Sequence, residues 1–462
     1  MRRLQLVAAL LLATVCCTPS PPPPPPWPAV KNVVFVTIDT LRADHTSAYG
    51  YPVPTTPFLE QMAARGVTFD RAYAHSSTTA PSHSSMFTGL YPIQHRVQSN
   101  GQKLDERFTT LASHLTAAGW RTGAFVSAPA LFDGSKIRRG FTDYDTPSIS
   151  GGEPDQTYRP ADKTIAEASK WLRRSLRQEE PLFLWVHLYD PHKPMEAPAK
   201  HMRAIRPRGA DAKASRRELM RSRYIGMRVP NIGRNVQRYD AEVRFADAEL
   251  QRLFRAANTA SNVDDTLWVI TSDHGQGLST HGWFGHHVQI YNTQLHVPLI
   301  FVFPGDWQGG RRVSAMPVGH VDLAPTLLEV LGLDELPQSA PIQGRSLAPL
   351  FLDAPVWDRE VVFAERRVEN RASQRASFEA GTRQALQTLT RKYILFSEGP
   401  DEYYALDVDP YEQNNLIEQA DVEARRLRDM LTVLSSTLTG DFDPASVSEA
   451  ELQQLRAMGY VQ

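Results

Sequence analysis

Cysteine is almost absent from this chain: two residues in 462, the adjacent Cys16 and Cys17. Everything after residue 17 therefore folds without disulfides and offers no thiol nucleophile. An excess of charge of one sign is lacking too. Lys and Arg total 50 against 51 Asp and Glu, which leaves a formal net charge of -1 and a pI near 6.9. Such a balance exerts no global pull toward nucleic acid or an anionic membrane surface, and no nucleic-acid partner is expected. The apolar stretch at residues 4–15 is too short to cross a bilayer comfortably. No internal repeat of fixed period is visible.

What is present has a globular balance, with 42% hydrophobic and 22% charged residues, and the length suits one large α/β domain with a smaller one. Arg2 and Arg3 ahead of the apolar stretch have the pattern of an export signal, placed at residues 1–17. A lipid on Cys16 or Cys17 would tether the product, and this is the only membrane contact expected. The expected location is periplasmic, or the outer membrane as a lipoprotein, and otherwise secreted. Residues 18–30 read as a proline-rich linker, with an unbroken proline run at 21–26 that makes a stiff spacer of about 3.1 Å per residue.

Near-continuous β-branched and aromatic runs at residues 33–38, 122–126, 182–187, 267–271 and 298–303 read as strands buried on both faces. Helical patterns occupy residues 57–65, 108–118, 161–177, 239–256 and 323–331. Alternation of the two predicts a doubly wound, mostly parallel α/β sheet flanked by helices, with the main domain over residues 31–350. Shorter segments at 360–364, 392–396 and 403–406 and a helix at 422–438 predict a small C-terminal α+β subdomain over 351–462. Ligands of doubly wound sheets collect beyond the carboxyl ends of the strands, where Asp39, His187 and Asp273 fall.

Three remote runs carry the chemistry: Asp39-Thr40-Leu41-Arg42, Thr79-Ala80-Pro81-Ser82-His83 and Ser272-Asp273-His274-Gly275. Two carboxylates, an imidazole and a hydroxyl form a ligand set for one divalent metal, with the hydroxyl as the activated nucleophile. A carboxylate after an apolar strand is expensive to bury unless a cation or hydrogen bonds compensate it. Thr79 falls at a predicted helix start, where an attached anion gains positive potential; the plainer reading is that Thr78, Thr79 or Ser82 caps the helix. His187 and His192 flank Asp190-Pro191, while His281, His286 and His287 follow the Asp273-His274 pair, and His192 and His286 are the imidazoles expected to take part in the chemistry.

These residues resemble the sulfatase-like branch of the alkaline phosphatase superfamily, which holds sulfatases, phosphonate monoester hydrolases and phosphoethanolamine transferases. The matching pieces include Asp39-Thr40-Leu41-Arg42, Thr56-Pro57-Phe58-Leu59, Pro81-Ser82-His83, Thr88-Gly89-Leu90-Tyr91-Pro92, Ser272-Asp273-His274-Gly275 and Gly344-Arg345-Ser346-Leu347. The resemblance implies that Asp39, Thr79, Asp273 and His274 bind the metal. It implies that His192 and His286 contact the transferred group or protonate the leaving oxygen, and that Arg42 contacts the anion. The implied metal is zinc, manganese or calcium, with His274, where many sulfatases have Asn, favouring the first two. The implied substrate is an anionic sulfate, phosphate or phosphonate ester, on a glycan or a lipid.

One departure sets this chain apart. Sulfatases carry Cys or Ser where Thr79 stands, within Cys-x-Pro-Ser-Arg, and oxidise it to formylglycine. Here neither the thiol nor the arginine is present, so no formylglycine is expected. A threonine ester cannot expel sulfate by elimination, and water or an acceptor must release it. Hydrolysis is the leading expectation. A phospho-group transferase on an envelope glycan or lipid is the rival within enzymes, and an inactive anion-binding surface lipoprotein is the rival outside them. Eight arginines between Arg203 and Arg228 read either as a basic lid or as a solvated insert.

Overall fold

The computed structural model describes residues 25–131, 135–147, 158–206, 232–258, 264–352, 357, 359–367 and 381–439. Residues 1–17 with both cysteines, most of the 203–228 arginines and the C-terminal tail lie outside them. Within the linker, Trp27 Nε1 donates to the Val330 carbonyl at 3.1 Å, so this end of the spacer is fastened to the domain.

The main sheet has strands β1 (Asn32–Ile38), β2 (Val67–Phe69), β3 (Arg121–Val126), β4 (Asp143–Asp145), β5 (Leu182–Leu188), β6 (Thr266–Ser272), β7 (Leu299–Val302) and β8 (Arg311–Val313). Their order across the sheet is β8-β2-β7-β6-β1-β5-β3-β4. Only β7 runs against its neighbours β6 and β2, and the other pairings are parallel. Period-two alternation divides β1 between two cores. Val33 and Phe35 pack on one face, Val34, Val36 and Ile38 on the other. This is why the run reads as continuous apolar sequence rather than as alternation.

Helices α1 (Pro57–Arg65), α4 (Ala161–Ser175) and α5 (Ile232–Ala257) cover the second face. The first is covered by α2 (Thr79–Thr88), α3 (Leu111–Ala117) and α6 (Leu323–Val330). After them come β9 (Val362–Arg366), β10 (Arg383–Gln387), β11 (Arg391–Phe396) and β12 (Glu402–Ala405), an antiparallel sheet closed by α7 (Val422–Thr439). One face of that sheet joins the main core through Val362, Ala364, Ala385 and Ile394. Its other face packs Phe363, Leu386 and Tyr393 against Leu427 and Leu431 of α7. The sequence reading missed β10, whose Arg-Gln-Ala-Leu-Gln run is polar yet buried throughout.

Candidate active site and metal centre

Strands β1 and β6 are neighbours in register, Ile38 opposite Ser272, so the next residues, Asp39 and Asp273, emerge side by side at the carboxyl end of the sheet. Thr40 then takes a left-handed turn, φ 56°, which lets its amide donate to Asp273 Oδ1 at 3.1 Å. The same oxygen accepts the His274 amide at 2.8 Å. Ser272 Oγ accepts the Leu41 amide at 2.9 Å, and the Tyr239 hydroxyl accepts the Arg42 amide at 2.9 Å, which clamps the two loops together.

Thr79 is the first residue of α2, a helix buried along its whole length. Its polar side chains bond inward: Ser84 Oγ donates to the Ala80 carbonyl at 2.8 Å and Ser82 Oγ to the Asp273 carbonyl at 2.6 Å. Thr78 is the cap residue and makes no side-chain cap bond, so the capping explanation fails for it. Thr79 Oγ1 instead lies 3.4 Å from His274 Nε2, which is 3.4 Å from Asp273 Oδ2. Ligand atoms of Asp39, Asp273 and His274 all lie within 4.8 Å of one another. Separations near 3.4 Å are edges of a coordination polyhedron with bonds of about 2.0–2.2 Å.

The electrostatics point the same way. Neither carboxylate oxygen of fully buried Asp39 has a hydrogen-bond partner among the described residues, and Asp273 Oδ2 has none either. Burial, and then the Asp273 charge, push Asp39 well above the usual carboxylate range. Burial also lifts Asp273 to about 6, against the pull of His83 and the two amides. Burial lowers His274 to about 4, so its ring is neutral at physiological pH with a lone pair to give. Two buried carboxylates held this close must share a proton or a cation, and their ligand atoms with those of His274 could hold a metal ion.

His286 stacks on His274, ring centroids 4.4 Å apart, and its Nε2 meets His192 Nε2 at 2.8 Å. Their Nδ1 atoms face the Ser77 and Lys193 carbonyls at 3.1 and 2.7 Å. Tyr189 stacks on His192 at 4.4 Å, continuing the ring ladder outward. His287 approaches His286 with Nδ1 atoms 3.3 Å apart. His281 is a structural residue, its Nε2 donating to the Glu412 carbonyl at 2.7 Å with the ring flat on Tyr291.

Arg42 is placed differently from the expectation. Its guanidinium donates twice to the Asp44 carboxylate at 2.8 Å and once to the Gln276 carbonyl at 3.1 Å, bracing the loop rather than facing the carboxylate cluster. Sequence reasoning placed His187 at a strand's carboxyl end but counted neither it nor His83 among the metal ligands, although both lie against the carboxylate pair. His187 Nε2 is 3.6 Å from Asp39 Oδ2, and His83 Nδ1 is 3.9 Å from Asp273 Oδ2. The available signal was positional: His187 pairs with Thr37 near the carboxyl end of β5, and His83 lies one helical turn after Thr79.

Comparison with known proteins bears on the family and the fold. Residues 31–333 match the sulfatase family model, and residues 279–436 match the C-terminal model of N-sulphoglucosamine sulphohydrolase. An ulvan-active sulfatase of Formosa agariphila is 25% identical over 86% of this chain and 79% of its own length. A multifunctional alkaline phosphatase superfamily protein of Trinickia caryophylli is 26% identical over 84% of this chain and 91% of its own. Among solved structures, the phosphonate monoester hydrolase of Agrobacterium radiobacter superposes with a TM-score of 0.69 at 24% identity, covering 89% of this chain and 96% of the other. With the family model spanning residues 31–333, most of the chain, the protein belongs to the sulfatase family of the alkaline phosphatase superfamily, enzymes that hydrolyse sulfate esters.

Proposed function

We propose that this chain is an exported, metal-dependent hydrolase of sulfate or phosphate and phosphonate esters that works through a covalent intermediate on Thr79. Asp39, Asp273, His274 and Thr79 Oγ1 would hold the cation. When bound, a divalent ion lowers the hydroxyl pKa and holds charge on the transferred group's oxygens. Thr79 Oγ attacks sulfur or phosphorus in line as the bond to the leaving oxygen breaks. Water then attacks the same atom and frees Thr79, since a threonine ester has no elimination route.

His192 and His286 would protonate the leaving oxygen. Carbonyls at both Nδ1 atoms make each a donor there, so the 2.8 Å Nε2–Nε2 contact calls for one shared proton. Burial opposes that proton, lowering His192 to about 4, and an arriving anionic ester offsets the opposition. Lys193, stacked over Phe284 at 3.9 Å, adds a cation beside His192. A sulfated or phosphorylated glycan fits this surround, in keeping with relatives named as ulvan-active and N-acetylglucosamine-6-O-sulfatases. Export, and a lipid tether at Cys16 or Cys17, rest on the sequence of residues 1–17.

The orphaned Asp39 carboxylate against Asp273, with Thr79 Oγ1 at 3.4 Å from His274, carries this reading. Turnover of a panel of aryl sulfates, phosphate monoesters, phosphodiesters and phosphonates tests it, together with intact-mass detection of a sulfo or phospho group on Thr79 after rapid quench. The expected result is turnover with a Thr79 adduct that Thr79→Ala abolishes. Turnover that survives Thr79→Ala would end the covalent mechanism.

A further inference from the structure

Two metal-ligating triads meet at Asp273. One is Asp39, Asp273 and His274; the other is His83, His187 and Asp273, whose ligand atoms also lie within 4.8 Å of one another. The second has no part in the mechanism above, and its central residue is unexplained by packing alone. His187 is fully buried, and neither ring nitrogen has a hydrogen-bond partner among the described residues. Leaving such groups unpaired is costly, so a buried imidazole orphaned at both nitrogens is a ligand site or a defect. It faces other orphans: Asp39 Oδ2 at 3.6 Å and, through the triad, Asp273 Oδ2.

We propose that His187, His83 and Asp273, with Asp39 in reach, form a second divalent-cation position beside the catalytic one, sharing Asp273 as a bridging carboxylate. Charge supports it, on the reading that Thr79 is the nucleophile. Asp39, Asp273 and a deprotonated Thr79 carry three negative charges, one divalent ion leaves one uncompensated, and the ester brings more. His83 would turn Nδ1, the nitrogen 3.9 Å from Asp273 Oδ2, to the cation in exchange for its 2.8 Å hydrogen bond to the Thr79 carbonyl, while its Nε2 stays 3.0 Å from Thr37 Oγ1. The chemical class is a borderline transition-metal ion, because two imidazoles and a carboxylate suit zinc or manganese rather than calcium.

The test is metal stoichiometry of the full chain, stripped with a chelator, dialysed against zinc or manganese and counted by elemental mass spectrometry. Two equivalents are expected for the unaltered protein and one for His187→Ala, with X-ray absorption of the zinc form showing a metal neighbour at about 3.5–4 Å. One equivalent in the unaltered protein, or two retained in His187→Ala, overturns the proposal. Should that variant fail to fold, His187→Gln replaces it, and the count and metal-to-metal distance in the unaltered protein decide alone. One equivalent with ester turnover removes the second position and leaves the hydrolase reading standing. Two equivalents without turnover on any ester do the reverse.

Discussion

The carboxyl end of the main sheet and the seam beneath the C-terminal sheet both bury charge completely, yet they treat it in opposite ways. At the seam, Lys392 Nζ donates to Glu412 Oε1 at 2.6 Å, to the Ile290 carbonyl at 2.7 Å and to Asn292 Oδ1 at 3.1 Å. Glu412 Oε2 accepts the Asn292 amide at 2.6 Å, so donors and acceptors close on one another. At the sheet end, Asp39 and His187 hold four polar atoms with no hydrogen-bond partner among the described residues. A closed network is finished architecture, whereas an open one is shaped for something the chain itself does not supply.

The largest effect expected from testing that contrast is kinetic. Thr79→Ala lowers kcat/KM by roughly 10⁴-fold or more while leaving the urea unfolding midpoint nearly unchanged, because the hydroxyl belongs to the open network. A small rate loss would place Thr79 among the merely structural residues. Next comes the seam: Lys392→Met strands a buried carboxylate and costs about 3–5 kcal/mol of unfolding free energy, and Lys392→Met with Glu412→Leu recovers most of it. Metal content measured on the same variants is expected to stay constant. If it fell, the two regions would be coupled and the contrast would weaken.

His286→Gln is expected to slow esters with poor leaving groups by about 10²–10³-fold and those with acidic aryl leaving groups much less. Equal losses across leaving groups would remove the proton-donor role. The smallest effect concerns an intermediate case, Asp247, whose oxygens accept the Phe58 and Leu59 amides at 3.0 and 2.9 Å. Burial lifts its carboxyl from 3.8 to about 7. The folded state therefore binds this proton more tightly than the unfolded chain. Its stabilising share is complete below pH 3.8 and lost as pH rises through about 7. Asp247→Asn is expected to flatten the thermal-stability profile across that window, and an unchanged slope would assign the dependence to other groups.

Much of the fold was legible because buried parallel strands leave a coarse mark. The runs at 33–38 and 267–271 became Asn32–Ile38 and Thr266–Ser272, each ending one residue before its aspartate. Pro57–Arg65 appeared as a helix with unaltered bounds. The reversed direction of Leu299–Val302 left no mark, since strand sense is a property of pairing. Arg383–Gln387 was hidden because its buried side chains are polar; Arg383, for one, donates to the Val288 carbonyl at 2.8 Å. Arg42 misled for the reverse reason: a basic residue three positions after a strand-end aspartate looks like an anion contact until Asp44 is found to hold it.

The chain's order alone determined that carboxylates follow apolar strands, that a hydroxyl opens a helix and that thiol chemistry has no place in the folded part, because these depend on neighbours in sequence. Which imidazoles join them was decided only in three dimensions. His187 sits 148 residues from Asp39 along the chain, yet strand pairing of β1 with β5 brings their side chains to 3.6 Å. Register and burial create that proximity together, and burial is also what raises the carboxylates and keeps the imidazoles neutral.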